Sequence, residues 1–263
     1  VTVSLGPQDV LWPDWPDLPS NIGALATTRA GGVSTVPFDD GSGGGGLNLG
    51  LHTGDDAERV RENRARLQAL LPGRPAWISQ VHGTGVVDAV LVQPGAPVQV
   101  GDASTATQAG VVCAILTADC LPVLFASLDG NVVGAAHAGW RGLAAGVLGT
   151  TVAAMRGQGA DEITAWLGPA IGPQAFEVGT DVLEAFRAAL PDGGAEEAFK
   201  PYPGREGKYL ADMPLLARRL LARAGVTRVH GGKRCTFTER DRFYSYRRDG
   251  AASGRQASLI WIK

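Results

Sequence analysis

"VVCAILTADCLPVLFASLDGNVVGAAHAGWRG", residues 111–142, decides how the chain is built. Three apolar runs lie in it, "VVCAIL", "PVLFA" and "NVVGAA". Each has the length and the Val/Ile/Leu/Phe content of a buried strand. The last two are joined by "SLDGN", whose Asp-Gly pair predicts a tight hairpin turn. Directly after them, "LAAGVLGTTVAAMRG" places Leu143, Val147, Leu148, Val152 and Met155 at helical spacing, with Gly157 fitting the C-terminal end.

Outward from this core the same mixture continues. "NIGALATT" reads as a strand running into "RAGGVS", whose glycines mark a turn or a close backbone approach. "FDDGSGGGGLNLG" follows, with four consecutive glycines that lose too much entropy on ordering to form a regular element, and its stretch from Asp39 to Gly46 is expected to be mobile, a lid over substrate. From Asp55, "DDAERVRENRARLQALLPG" has acids in its first turn, Val60, Leu67, Leu70 and Leu71 near one face, and a Pro-Gly stop, which predicts a helix. "AWISQVHG" and "VVDAVLV" read as strands, "EITAWLGPAIG" as strand and loop, "DVLEAFRAAL" and "DMPLLARRLLARAG" as helices, and "ASLIWIK" as a closing strand. Strands in pairs and triplets between helices exclude an all-α or all-β protein and predict an α/β unit over residues 1–263, a mixed sheet covered by helices.

Composition narrows the function. The net charge is -2 and the basic residues are nearly all arginine, so no basic face for nucleic acid is expected. No charged segment leads into an apolar one at the start, and the longest apolar zone, Val111 to Leu128, is interrupted by Asp119 and Pro122, so a cytoplasmic protein without a membrane partner is expected. Three widely spaced cysteines leave metal binding, catalysis or burial as their uses. No P-loop or dinucleotide fingerprint is present.

The chemistry concentrates in "QVHG" (His82), "TADC" (Asp119, Cys120) and "HAGWRG" (His137, Trp140, Arg141). In each, an apolar run ends at the polar residue, where mixed sheets commonly place ligand-contacting groups. Two imidazoles and a thiolate with a fourth position open make a catalytic zinc site of the three-ligand kind. Arg141 beside it is a natural anion clamp, or only a helix cap, and Trp140 is equally readable as core. Cys113, inside "VVCAIL", reads as a small buried hydrophobe, and His52 and His230 as solvent-facing or capping residues.

The blocks "TTRAGGVS", "NLGLHTGDD", "SQVHG", "LTADCLPVLF", "AAHAGWRGLAAGVL", "LGPAIGP" and "FYSYRRDGAASGRQASLIWI" resemble, in order and over nearly the whole chain, the YfiH-type laccase-domain family, also called polyphenol oxidases and now largely described as purine nucleoside phosphorylases. The resemblance implies a four-layer α/β/β/α sandwich with mixed sheets and a duplicated unit, and a metal held by His82, Cys120 and His137. It implies phosphorolysis of adenosine, inosine, guanosine and methylthioadenosine, with adenosine deamination alongside. Phosphate then falls to Arg141, with Arg29 and Arg64 as further candidates from intact blocks. Asn48 stands in the "NLG" block, after a glycine-padded approach longer than is usual in the family. Deamination needs a carboxylate to move protons, for which Asp119 and Asp102 are the candidates. Zinc is the expected metal; copper centres want more imidazoles than the four the chain contains. A second enzyme class stays open, a cysteine hydrolase of peptidoglycan-type amides with Cys120 as nucleophile activated by His137 or His82. Monomer and homodimer are both compatible with the sequence.

Overall fold

The computed structural model describes residues 5–6 and 9–263; residues 1–4 and 7–8 of the expected domain lie outside the described residues. In chain order the elements begin with β1 (Val10–Leu11), β2 (Ile22–Thr27), β3 (Ala30–Ser34), α1 (Ala57–Gln68), β4 (Pro75–Ala76), β5 (Val86–Asp88) and β6 (Ala103–Ala106). The central part comprises β7 (Val112–Thr117), β8 (Leu121–Ser127), β9 (Val133–Ala138), α2 (Trp140–Ala145), α3 (Val147–Gly157) and β10 (Ile163–Leu167). The remainder is β11 (Glu177–Gly179), α4 (Thr180–Ala189), β12 (Phe199–Pro201), β13 (Lys208–Ala211), α5 (Met213–Arg223), β14 (Arg228–Gly231), α6 (Tyr246–Asp249) and β15 (Gln256–Ile262).

Two mixed sheets are stacked. The first has the order β1-β2-β15-β7-β4 and the second β14-β10-β8-β9-β6-β5; a small sheet, β11-β13-β12, stands beside them. The period of two along the strands sorts side chains into layers. In the first sheet, Ala24, Cys113 and Ile260 sit side by side in the register and pack with Leu124, Val133 and Ala135 of the second sheet. Their neighbours Leu25, Ala114 and Leu259 pack on the other face with Leu67 of α1 and with Leu47 and Leu49. In the second sheet, Leu121, Val123 and Phe125 turn outward onto Leu148 and Val152 of α3, Phe186 of α4 and Leu216 of α5. The layers are therefore α, β, β, α, as the resemblance implies. Cys113 is fully buried, and burial pushes its thiol up to about 12, so it is the small hydrophobe expected.

The predicted hairpin is present, with β8 and β9 antiparallel and Leu121 opposite Ala138 at the open end. Four local expectations differ from the structure. The single helix expected after His137 is two, because Gly146 takes a left-handed φ of 101° and separates α2 from α3. "RAGGVS" is not a turn but β3, bridged to Gly46, and the close backbone approach that its glycines predict is present, since a Cβ on Gly32 would stand 2.0 Å from Gly46 O. "VVDAVLV" is extended only through Asp88, whose side chain accepts from the Val90 amide and starts a short 3-10 turn. "AWISQVHG" contributes only Ala76 to a strand before becoming the loop that carries His82.

Candidate active site

The chain changes sheet at Asp119–Cys120: β7 belongs to the first sheet and β8 to the second. That corner explains the acid. Asp119 has a φ of 89°, a conformation that costs a non-glycine residue about 1–2 kcal/mol. Its carboxylate offsets this by accepting from Thr236 Oγ1 (2.6 Å) on one oxygen and from Ser245 Oγ (3.0 Å) and the Arg247 amide (2.6 Å) on the other. Asp119 thus ties the segment leading to β15 against the corner, and Cys120 is delivered at the mouth of the hairpin.

His82 is delivered by a second built turn. The Gln80 side chain donates to Leu116 O and accepts from Leu116 N, both at 2.9 Å, docking the loop on β7. Asp102, immediately before β6, then accepts three successive backbone amides: Val81 (3.1 Å), His82 (2.8 Å) and Gly83 (2.7 Å). This amide nest around a carboxylate stabilises the left-handed φ of 61° at His82. The same carboxylate takes His137 Nδ1 at 2.8 Å. Asp102 is fully buried, and although burial opposes its charge, the His137 and amide hydrogen bonds hold its carboxyl below the usual carboxylate range.

With Nδ1 of His137 given to Asp102, its Nε2 is left to face the other two residues. His82 Nε2, Cys120 Sγ and the His137 ring gather with their ligand atoms within 4.8 Å of one another, and Cys120 Sγ lies 3.9 Å from His82 Nε2. Burial disfavours the Cys120 thiolate, yet hydrogen bonds from His137 and His82 outweigh it and pull the thiol down to about 6. Burial likewise opposes the His137 cation, and Asp102 with Cys120 pushes it up to about 9. The donor set of two imidazoles and one thiolate, with a carboxylate orienting one imidazole from behind, fits a transition metal of the zinc type. Space around it is tight. A Cβ on Gly139 would stand 2.8 Å from His82 Cδ2 and 3.1 Å from Cys120 Sγ.

The cluster lines one side of a cleft of about 670 Å³. That volume suits a ligand of nucleoside size, within the ~300–1,000 Å³ common for small-molecule sites. Trp77, Phe176 and Tyr246 supply aromatic wall, and Arg64, Arg247, Arg255 and His52 supply basic groups. Of the residues named from sequence, His82, Asp119, Cys120, His137 and Arg64 line this cleft. Arg141 is exposed on α2, its guanidinium 4.5 Å from the Trp140 ring, and is not among the lining residues. Arg29 is buried in backbone contacts with Asp39 O (2.8 Å) and Arg240 O (3.0 Å) and lies over Tyr244. Asn48 is fully buried behind the cleft wall. His230 pairs with Asp17 at 2.6 Å. The sequence alone does not mark His52, Arg247 and Arg255 as site residues, although "NLGLHTGDD" and "FYSYRRDGAASGRQASLIWI" contain them. An arginine or histidine in a polar loop carries no periodic signal that separates a cleft wall from a solvated surface.

A four-layer α/β/β/α sandwich with a His/Cys/His cluster opening into a nucleoside-sized cleft defines a class of small-molecule-binding protein with a candidate metal centre. The chain belongs to the family described as multi-copper polyphenol oxidoreductase laccase, whose model matches residues 23–263. It is 51% identical over 253 residues to a purine nucleoside phosphorylase of Pseudomonas aeruginosa, covering 96% of this chain and 98% of that one. It is 50% identical over 252 residues to purine nucleoside phosphorylase YfiH of Escherichia coli, covering 95% and 97%. Among solved structures, a Neisseria meningitidis protein superposes with a TM-score of 0.87 at 48% identity, covering 97% of this chain and 99% of that one. YlmD of Geobacillus stearothermophilus superposes with a TM-score of 0.83 at 32% identity, covering 100% and 99%.

Proposed function

We propose that this chain, as one catalytic domain over residues 1–263, is a purine nucleoside phosphorylase that acts on adenosine, inosine, guanosine and methylthioadenosine, with adenosine deamination as a companion activity. The observation that carries the reading is the His82/Cys120/His137 cluster at the wall of a nucleoside-sized cleft with basic groups beside it, taken with relatives of about half identity that bear that name. In phosphorolysis the C1′–N bond of the nucleoside breaks with its electron pair leaving on the purine, an oxygen of hydrogen phosphate forms the new C1′–O bond, and the phosphate proton ends on the purine nitrogen. His82, Cys120 and His137 would hold a zinc ion, whose chemistry there would be that of a Lewis acid. The protein's own part is binding and orientation: aromatic walls for the base, cationic groups for phosphate, and Asp102 holding two of the three candidate ligands in place.

Copper stands in the family description, but the histidines here support a single centre. Two are in the cluster, His230 is paired with Asp17, and His52 lies among arginines at the cleft. Asp119 and Asp102 each hold protein donors on both oxygens, which supports positioning roles for both.

One observation favours a second reading. A thiol pulled down to about 6 beside an imidazolium is also the signature of a cysteine nucleophile. Metal and turnover in Cys120→Ala and His82→Ala separate the two. As a phosphorylase with a metal centre, the wild type carries about one zinc per chain, from three ligands with an open position, and both variants lose metal and phosphorolysis together. Full phosphorolysis by a zinc-free preparation contradicts the metal's role.

A further inference from the structure

Arg64 on α1 and His52 in the loop leading into it reach the cleft from one part of the chain, and Arg255, in the segment before β15, reaches it from a distant one. Most arginines of this protein outside the cleft are matched with acids, for example Arg66 with Glu62, Arg187 with Glu184 and Glu196, and Arg223 with Asp192. Arg64 and Arg255, both half-buried, have no carboxylate partner among the described residues. Arg64 donates Nε to Leu49 O (2.9 Å) and lies over Trp77 at 4.4 Å; Arg255 donates Nη1 to Ser253 O and Gly254 O. The remaining N–H groups of both have no protein acceptor among the described residues. Asp119 is the acid of the cleft lining, and Thr236, Ser245 and the Arg247 amide already hold its oxygens. Two half-buried guanidiniums without a salt-bridged carboxylate are costly to keep together unless an anion joins them.

All three line the one cleft, and both arginines are near enough to act on His52. Desolvation, then Arg255 and Arg64, holds His52 below its ordinary range, and the negative groups nearest Arg255 are Cys120, Tyr246 and Asp119 of the same cleft. Asn48 fixes the arrangement from behind. Its Oδ1 accepts from the Gly50 amide (3.0 Å) and the Arg255 amide (2.9 Å), and its Nδ2 donates to Thr53 Oγ1 (2.8 Å) and Asp55 Oδ2 (3.0 Å). Asn63, next to Arg64 on α1, donates to Asn48 O at 2.9 Å. One buried asparagine, through its side-chain amide and its backbone carbonyl, therefore locks the His52 loop, the Arg255 backbone and α1 together.

We infer that Arg64, Arg255 and His52 form the subsite for inorganic phosphate, adjoining the His82/Cys120/His137 cluster, and that Asn48 is its positioning residue. The inference rests on the phosphorylase reading and assigns the anion to this wall of the cleft rather than to Arg141 or Arg29. Planar guanidiniums with free N–H pairs suit a tetrahedral oxyanion.

The test is steady-state phosphorolysis of inosine at varied phosphate for wild type, Arg255→Met, Arg64→Met and Arg141→Met, with zinc content and thermal unfolding recorded for each. Arg255→Met and Arg64→Met are expected to raise the phosphate KM about tenfold or more while the inosine KM moves less than about threefold. Arg255→Lys is expected to recover part of the loss, as a charge without the fork geometry. An unchanged phosphate KM in both methionine variants, or a rise in Arg141→Met alone, overturns the assignment. Turnover of inosine 5′-monophosphate that Arg255→Met abolishes, with inosine unaffected, gives the site to a nucleotide's phosphate and also overturns it. If the wild type does not phosphorolyse inosine, the functional reading fails and calorimetric titration with inorganic phosphate decides the subsite. Binding weakened about tenfold in Arg255→Met supports it; no binding to wild type, or equal binding to both, overturns it.

Discussion

Replacing Asp102 by Asn removes one charge and exchanges one acceptor oxygen for an NH₂ group, at a position where both oxygens are in use. One oxygen accepts from the His82 amide and His137 Nδ1, the other from the Val81 and Gly83 amides. Whichever way the amide turns, its NH₂ meets two donors. If it faces Val81 and Gly83, two part-buried N–H groups lose their acceptor and the His82 turn loses part of what supports its φ of 61°. If it faces His137, the imidazole must give up its Nδ1 proton to accept, which moves that proton to Nε2 and blocks the nitrogen the cluster needs. Hydrogen bonds to a charged group contribute ~1.5–3 kcal/mol each, so losing two of four predicts a destabilisation of about 3–6 kcal/mol. Loss of a carboxylate behind a metal-ligating histidine typically costs about 10–100-fold in metal affinity. Urea unfolding of the metal-free protein measures the first and zinc competition against a chelator the second. A change below about 0.5 kcal/mol, within the range of ordinary surface substitutions, together with unaltered zinc affinity, refutes the view of Asp102 as the group that builds the site.

Gly139→Ala, whose Cβ would stand 2.8 Å from His82 and 3.1 Å from Cys120 Sγ, is expected to lower zinc content and activity while leaving the unfolding midpoint nearly unchanged, since its backbone angles suit alanine; metal analysis and a melting curve check it. In chelated protein, iodoacetamide labelling of Cys120 is expected to rise through about pH 6 rather than near 9.0. The sign follows from linkage: the lowered Cys120 pKa contributes stability that is lost as pH falls through about 6, and the raised His137 pKa contributes stability that is lost as pH rises through about 9, so the ion pair holds between. A labelling midpoint near 9 measured by mass spectrometry contradicts the pairing. Arg29→Met is expected to lower stability by about 2–4 kcal/mol through the lost charged hydrogen bonds to Asp39 and Arg240 without raising the phosphate KM, as read by denaturant unfolding and kinetics. The 39–46 segment is tied down by Arg29, by Asp40 accepting from the Ser42 and Gly44 amides, and by the Gly32–Gly45 hydrogen bond, and it does not line the cleft; limited proteolysis is therefore expected to give the same cuts with and without inosine.

The sequence made the stacked core readable because its strands are long, apolar and β-branched. β7, β8, β9 and β15 all lie where the apolar runs stand. It did not make β6 readable: "ASTA" is short and half polar, yet it is a fully buried strand between β9 and β5 whose hydroxyls are interior. Nor did it separate α2 from α3, because Gly146 inside an apolar period reads as a tolerated helix glycine until its left-handed φ is known. The site divides in the same way. His82, Cys120 and His137 were legible because each ends an apolar run, a local signal. Asp102 stood out only as a carboxylate, and its hold on three consecutive amides is a tertiary fact. Asn48, Arg64 and Arg255 belong to one construction across more than two hundred residues of chain, and no spacing rule reaches that far.

The most direct measurement is ³¹P NMR of the zinc-loaded protein with inosine, with and without inorganic phosphate. Ribose 1-phosphate is expected to appear in step with free hypoxanthine, only when phosphate is present. Hypoxanthine released at the same rate without phosphate, with free ribose as the sugar product, or no release in either sample, contradicts it.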